Sequence, residues 1–340
     1  MSEKDLKSKQ STSSPSGQQR ISADKALAIA EQHLSAGRLS DAANVYQLVL
    51  QSDPTQVVAL HFLGVVAHQM GRSETAVDLI KNALTIAPDY FAAHNNLGNV
   101  YIELGELDEA VACYREAVAV KPDFFSAYNN LGTALQKLGK KDEAISNYQK
   151  ALSIQPEYAD AHYNLGNVLF EQGKLDEAVA RYRKALAISP NLADVHNNLG
   201  TALKKLGKMD ESIASYSKAL TIQPQFSEAH NNLGTVFQKL GRLDAANASY
   251  REALKLNSKF ADAHCNLGSA LWAQRRFEEA VASYHEALAI KPNFPEAAGS
   301  LGSVLLAMGK LKEGLAMEQT GFGIISFDLE RGVSTNSGSM

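Results

Sequence analysis

His94-Asn95-Asn96-Leu97-Gly98 is the phrase on which the whole chain is built. It returns as Tyr128-Asn129-Asn130-Leu131-Gly132 and as His162-Tyr163-Asn164-Leu165-Gly166, then again around Asn198, Asn232 and Asn266. The Leu-Gly pair begins at 63, 97, 131, 165, 199, 233, 267 and 301, always 34 residues apart. A period of about 20–50 residues is the sequence signature of a stacked-repeat architecture. The expected fold is therefore all-α, a solenoid of helix-turn-helix units that grows in one dimension.

With Gly98 counted as position 8, one repeat runs from Phe91 to Phe124. Gly105 is then position 15, Ala110 position 20, Tyr114 position 24, Ala117 position 27 and Pro122 position 32. Ala144, Tyr148, Ala151 and Pro156 occupy the last four of these places in the next repeat, and Ala178, Tyr182, Ala185 and Pro190 in the one after. This set closely resembles the tetratricopeptide repeat consensus, and the resemblance runs over residues 23–320 without an insertion. It implies a right-handed superhelix of about nine repeats: 23–56, 57–90, 91–124, 125–158, 159–192, 193–226, 227–260, 261–294 and a partial 295–320. The motif is specific for fold and weak for function, because functional sites are grafted onto folds.

The spacing has physical causes. Positions 4, 7, 8 and 11 of the first helix (helix A) make one stripe of a 3.6-residue helix. Glycine at 8 and alanine at 20 let two helices approach closely. Gly105, Gly139, Gly173, Gly207 and Gly241 stand where helix A must turn, and glycine accepts the left-handed conformation there. Asp108, Asp142, Asp176, Asp210 and Asp244 are expected to open the second helix (helix B) as N-cap residues. Proline at position 32 ends helix B.

A chain with 45% hydrophobic and 21% charged residues has the composition of a folded globular protein. Its net charge of −4, with no lysine- or arginine-rich stripe, argues against a nucleic-acid partner. Residues 1–22 are rich in Ser, Lys and Gln and read as a disordered tail. With no apolar run for a signal peptide or a membrane span, the expected location is cytoplasmic. Cys113 and Cys265 fall in repeats 3 and 8 and cannot meet in a regular solenoid, so no disulfide framework is expected.

Departures from the pattern mark particular places. Ala28 and Ala30 replace Asn and Gly in repeat 1, and Phe62 stands at position 6 of repeat 2, as suits an atypical N-terminal end. Repeat 7 has Ser258 in place of the position-32 proline. Repeat 8 has Arg275 in place of the turn glycine, at a cost of about 1 kcal/mol in the left-handed region. This junction is the expected soft or bent point. In repeat 9, Gly314, Glu318 and Gly321 replace Ala, Tyr and Ala, so helix B is expected to end before Gly321. Ile324, Ile325 and Phe327 form a strand-like run ahead of a polar tail from Asp328. Residues 321–340 read as a capping segment and tail, with Phe322, Ile324 and Phe327 folding over the last helix; the alternative is a pairing edge for a second copy or a partner.

The family geometry lines the concave face with helix A, so positions 2, 5, 6, 9 and 12 face a groove. Position 6 reads Asn96, Asn130, Asn164, Asn198, Asn232 and Asn266. Position 9 reads Asn99, Thr133, Asn167, Thr201, Thr235 and Ser269, and position 5 adds Asn95, Asn129, Asn197 and Asn231. A carboxamide offers an acceptor and two donors, so it can hold a peptide unit at both C=O and N–H. Helices about 10 Å apart would place one asparagine at roughly every third residue of an extended segment. The expected site is thus a peptide-binding ladder of Asn96, Asn130, Asn164, Asn198, Asn232, Asn266, Asn99, Asn167, Thr133, Thr201 and Thr235. The alternative is inherited architecture in which the asparagines bond a neighbouring helix. Asp160, Asp194, Glu228, Asp262 and Glu296 at position 2 make one end of the groove acidic, either as a solvated face or as a preference for basic ligands.

This face resembles the superhelix of O-linked N-acetylglucosamine transferase, where an asparagine ladder grips substrate proteins. The resemblance covers the repeats alone, and that family's glycosyltransferase domain is expected to be absent. The chaperone-binding carboxylate clamp of related repeats needs Lys at 5, Lys at 2 and Arg at 6; Asn95, Asp160 and Asn164 stand at such positions, which disfavours an acidic chaperone tail. The resemblance implies a non-catalytic scaffold that binds other proteins through extended segments. Two rivals stay open: a substrate-recruiting subunit for a separately encoded O-linked glycosyltransferase, and a self-assembling homo-oligomeric scaffold.

Catalytic chemistry and cofactors are not expected. His94, His162, His196, His230 and His264 recur at position 4, roughly one helix diameter (~10 Å) apart, too far to share a metal whose ligands stand near 2 Å. They read as packing residues. Gly166 to Lys174 has the wrong spacing for a phosphate loop, and His285-Glu286 lacks a second histidine four residues on. Trp272 at position 12 is either a groove anchor or a packed ring.

Overall fold

The computed structural model describes residues 22–322, 325–328 and 332–335. The tail read over 1–22 lies outside the described residues but for Ser22. Ile324 lies outside them too, and so does the side-chain packing expected of the capping segment.

The chain divides into two compact units, Met1–Leu138 and Gly139–Met340. The first holds α1 (Ala23–Ser35), α2 (Leu39–Ser52), α3 (Val57–Gln69), α4 (Ser73–Ile86), α5 (Phe91–Leu104), α6 (Leu107–Val120) and α7 (Phe125–Lys137). The second holds α8 (Lys141–Ile154), α9 (Ala159–Glu171), α10 (Leu175–Ile188), α11 (Ala193–Lys205), α12 (Met209–Ile222), α13 (Ser227–Lys239), α14 (Leu243–Leu256), α15 (Ala261–Ala273), α16 (Phe277–Ile290), α17 (Pro295–Ala307) and α18 (Leu311–Phe322). Odd-numbered helices are the A helices and even-numbered ones the B helices. Within each unit every helix packs on its neighbours in the chain, and each A helix also touches the next A helix.

The core repeats one contact. Tyr114, Tyr182, Tyr216, Tyr250 and Tyr284, all at position 24, are fully buried. Each ring lies against the position-8 glycine of its own repeat: a Cβ built on Gly98 would stand 2.6 Å from Tyr114, and one on Gly166 2.7 Å from Tyr182. Repeat 2 makes the same contact between Gly64 and Ile80.

Four expectations need correction. The position-18 aspartates do not cap helix B. Helices α6, α8, α10, α12 and α14 start at position 17 behind Glu106, Lys140, Lys174, Lys208 and Arg242, none of which makes a side-chain cap bond. Each aspartate sits inside the first turn, where it meets the positive end of the helix dipole. Second, proline at position 32 is not needed to end helix B, because the Ser258 junction has the same bounds as the others. Helix α14 still ends at Leu256, and Asn257 Oδ1 accepts from Lys259 N–H at 3.1 Å, a side-chain turn in place of proline. Third, α18 runs through Gly321 to Phe322, because the small residues let it lie close to α17: Gly321 faces the backbone of Gly299, and Gly314 that of Gly302. Last, the polar tail from Asp328 contains a strand. Residues Ile325–Asp328 (β1) pair antiparallel with Gly332–Thr335 (β2), so the strand-like run finds its partner within the chain.

Arg275 does adopt the left-handed conformation, with φ 61°, as Gly207 does at 77°. It is the only such non-glycine among the described residues, and α15 and α16 on either side keep the lengths found elsewhere in the second unit.

Two substitutions test this account by urea unfolding. Arg275→Gly relieves the left-handed strain and should raise stability by about 1 kcal/mol; an unchanged or lower midpoint would contradict the strain. Gly200→Ala places a Cβ 2.8 Å from the buried Tyr216 ring. Overpacking at about 1–3 kcal/mol should outweigh the gain in helix propensity, for a net loss on the order of 1–2 kcal/mol. A more stable variant would show that the tyrosine can step aside.

Candidate functional site

The A helices of each unit present positions 2, 6, 9 and 12 side by side. Position 5 is not part of this surface: Asn95, Asn129, Asn197 and Asn231 are buried between adjacent A helices. The position-6 asparagines are half-buried, and Asn96, Asn130, Asn198, Asn232 and Asn266 reach back to the preceding repeat.

In the first unit, Asn130 Nδ2 donates to Asn95 Oδ1 at 3.0 Å and to Asn99 Oδ1 at 3.3 Å. Asn96 Nδ2 donates to His61 Nε2 at 2.9 Å. In the second unit, Asn232 Nδ2 donates to Asn197 Oδ1 at 3.1 Å and Asn266 Nδ2 to Asn231 Oδ1 at 3.0 Å. Asn198 Nδ2 donates to Tyr163 Oη at 3.2 Å and to Asn167 Oδ1 at 3.1 Å, because Tyr163 stands at position 5 in that repeat. Asn164 is half-buried like the rest. The carboxamides read as offering both groups outward thus spend Nδ2 on a neighbouring helix. The Oδ1 atoms of Asn130, Asn232 and Asn266 make no hydrogen bond among the described residues.

Position 9 ties this layer to the core. Asn99 and Asn167 accept the Tyr114 and Tyr182 hydroxyl protons at 2.7 and 2.8 Å. Thr133 and Thr201 donate to Asn129 O and Asn197 O in their own helices, both at 3.1 Å, and Thr201 Oγ1 also meets Tyr216 Oη at 2.9 Å. Thr235 donates to Asn232 O at 2.7 Å. The Asn99 Nδ2 group is a donor with no bond among the described residues.

The remaining features fall around this row. Asp160, Asp194, Glu228, Asp262 and Glu296 are exposed. Glu228, Asn231, Asn232, Phe260, Asp262 and Asn266 line an open recess of about 360 Å³. Trp272 is half-buried and packs on the core of the last repeats. The position-4 histidines close the turn into helix A: Nε2 meets Pro88 O for His94 at 2.7 Å, Pro156 O for His162 at 3.0 Å, Pro190 O for His196 at 3.0 Å, Pro224 O for His230 at 3.1 Å, and Ser258 O for His264 at 3.1 Å. The sequence spacing placed these rings but could not show the carbonyl six residues back. Among the described residues no group of three or more His, Cys, Asp or Glu could hold a metal ion, and no helix is long and apolar enough to cross a membrane. Both cysteines are free, and burial pushes their thiols up to about 11.

His61 was missed as a participant because repeat 2 lacks the Asn-Asn pair. It is buried, meets Tyr90 Oη through Nδ1 at 3.0 Å, and accepts from Asn96 through Nε2.

Comparison with known proteins bears on the fold. Family models described as TPR repeat match residues 98–139, 137–173, 166–207 and 200–241, and models described as tetratricopeptide repeat match 27–91, 79–112 and 231–295. Among solved structures, the chain is similar to one of the APC/C hetero-tetramer Cut9-Hcn1, with 21% identity over 84% of this chain and 56% of that one, at a TM-score of 0.59. It is similar to pilF of Pseudomonas aeruginosa, with 24% identity over 57% of this chain and 88% of that one, at 0.52. YrrB, described as a TPR protein with an unusual peptide-binding site, gives 25% identity over 58% of this chain and 98% of that one, at 0.48. The search of curated proteins gave no match.

Burial lowers the His61 pKa from 6.5 to about 4. Between those values the unfolded chain binds a proton at this site that the folded chain does not, so stability rises with pH across the window. The site's contribution should be complete above pH ~6.5 and should fall by up to about 3 kcal/mol by pH ~4. Urea unfolding of the wild type against His61→Gln over this range measures it; equal slopes would contradict a buried neutral imidazole.

Proposed function

The chain belongs to the tetratricopeptide repeat family, whose repeats generally serve as protein-interaction scaffolds, and we propose that this one binds extended protein segments across its A helices without chemistry of its own. The observation that carries the reading is the set of half-buried position-6 carboxamides whose Nδ2 is anchored and whose Oδ1 is unengaged, at Asn130, Asn232 and Asn266.

An anchored carboxamide is pre-organised, so little side-chain entropy is lost when its oxygen accepts a peptide N–H. Asn99 Nδ2 supplies a donor for a peptide carbonyl in the first unit. Contacts of this kind recognise backbone and ask for no particular side chain. Each nets roughly 0.5–1.5 kcal/mol, and ordering the segment offsets much of that, so binding is weak and broad. Asn164, Asn198, Asn96, Asn167, Thr133, Thr201 and Thr235 belong to the same surface and act chiefly by holding it in register.

The test belongs on the ligand. Changing Asn130 or Asn232 to Ala also leaves Asn95 or Asn197 Oδ1 buried without its partner, which mixes a loss of stability with a loss of binding. A fluorescein-labelled Thr/Gln peptide of about 15 residues, enough to span several rungs, is compared with the same peptide N-methylated at alternate residues. Fluorescence anisotropy should show affinity falling by about tenfold or more as backbone N–H donors are removed. Equal affinity for the two peptides would sink the backbone-reading proposal.

A further inference from the structure

Position 12 contributes long side chains that cross from one repeat to the next. Gln238 Nε2 donates to Ser269 Oγ at 3.0 Å, and Lys204 Nζ donates to Thr235 Oγ1 at 2.9 Å. The second of these is unusual in its charge. Lys204 is half-buried, and burial, with Lys239 and Lys205 as smaller causes, lowers its pKa. Lys205 leans the other way, its ammonium 4.3 Å from the centre of the Phe170 ring. Among the described residues no carboxylate comes within ion-pair distance of Lys204, Lys205 or Lys239. Partly buried charges are normally paired, since an uncompensated one is costly. An ammonium has three donors, and the Thr235 bond uses one.

The place is next to the ladder. Thr235 lies one turn from Asn232, to whose carbonyl it donates. Side chains of an extended segment point alternately to opposite sides. One that points from Asn232 towards the C-terminal ends of α11 and α13 meets Lys204 and Lys239. One that points the other way meets Asp194 and Glu228, some 15 Å off along the same helices.

We propose that Lys204 and Lys239 form an anion subsite that takes an acidic side chain, carboxylate or phosphoryl, of the segment held by the ladder, with the Thr235 hydroxyl oxygen holding the Lys204 ammonium in place. The inference rests on the peptide-binding reading above and adds to it a preference for one sign of charge at one place. It differs from a carboxylate clamp at positions 2, 5 and 6, which this chain does not carry. The acids at the opposite ends of α11 and α13 repel an anion there, so the preference is directional.

The experiment uses the full chain and the same neutral Thr/Gln peptide with its central residue changed to Glu, phosphoserine or Lys. At low salt the Glu peptide should bind about fivefold tighter than the neutral one, and the gain should shrink as salt is raised. Lys at that place should weaken binding. In Lys204→Gln the neutral peptide should bind as before while the Glu preference disappears; a thermal melt confirms that the variant is folded. A larger gain for phosphoserine than for Glu would identify the phosphoryl group as the better source of the anion, and a gain for Glu alone the carboxylate. If neutral and acidic peptides bind wild type equally, the ladder stands and the anion subsite is wrong. If neither binds, the peptide-binding reading fails and takes the subsite with it.

Discussion

The uniform middle repeats depend on a tyrosine ring lying against a glycine. In repeats 3 and 5 to 8 the position-24 tyrosine stands where a position-8 Cβ would be, as close as 2.6 Å at Gly98 and Gly234, whereas repeat 1 seats Tyr46 with Ala30 at position 8. That contact fixes the distance and rotation of helix B on helix A. Because it is fixed the same way in repeat after repeat, the next helix A arrives in the same place each time. Interiors are packed to near crystal density, so the one missing methyl group acts as a gauge and not as slack.

The second layer is polar and follows from the first. A buried tyrosine hydroxyl usually takes a partner, and position 9 supplies one in Asn99, Asn167 and Thr201. Asn99 and Asn167, with the buried Asn95, Asn197 and Asn231, accept from position 6 of the following repeat. A chain of hydrogen bonds thus leads from the core tyrosine outward to the carboxamides on the surface. Buried amides must be satisfied or they cost about 1–3 kcal/mol each, so a register slip between repeats would leave several unpaired. The asparagines therefore specify stacking as well as presenting a surface.

Much of this was legible in the sequence and some of it could not be. The 34-residue period gave the helix-turn-helix unit, and the left-handed turn was readable even at Arg275. Helical spacing says which side chains share a face and nothing about which atoms they spend on neighbours. That is why Asn95 and Asn197 were read as groove residues when they are buried, and why Asn130 was credited with donors it has already used. The Asp108 family was misread as N-caps because the turn closes two residues earlier than an N-cap at position 18 requires. His61 was invisible for another reason: its role depends on a bond to Asn96 from the neighbouring repeat, and repeat 2 carries no phrase that announces it.

In a repetitive chain the shared residues describe the scaffold, so any discrimination between ligands has to come from places where the repeats differ. The position-6 carboxamides are the same at six repeats and can read only what all peptides share, the backbone. Position 12 is not the same: it reads Ile102, Gln136, Phe170, Lys204, Gln238 and Trp272 along the middle repeats. Two of them, Lys204 and Gln238, cross to the next repeat and bond position 9 there. A surface built this way separates two tasks. On the proposed reading, uniform rungs hold an extended segment at modest affinity, and a varied row alongside them tests its side chains one by one. The half-buried ammonium of Lys204 is the member of that row with the most to gain from a partner, because it alone carries a charge away from water without an opposite charge beside it.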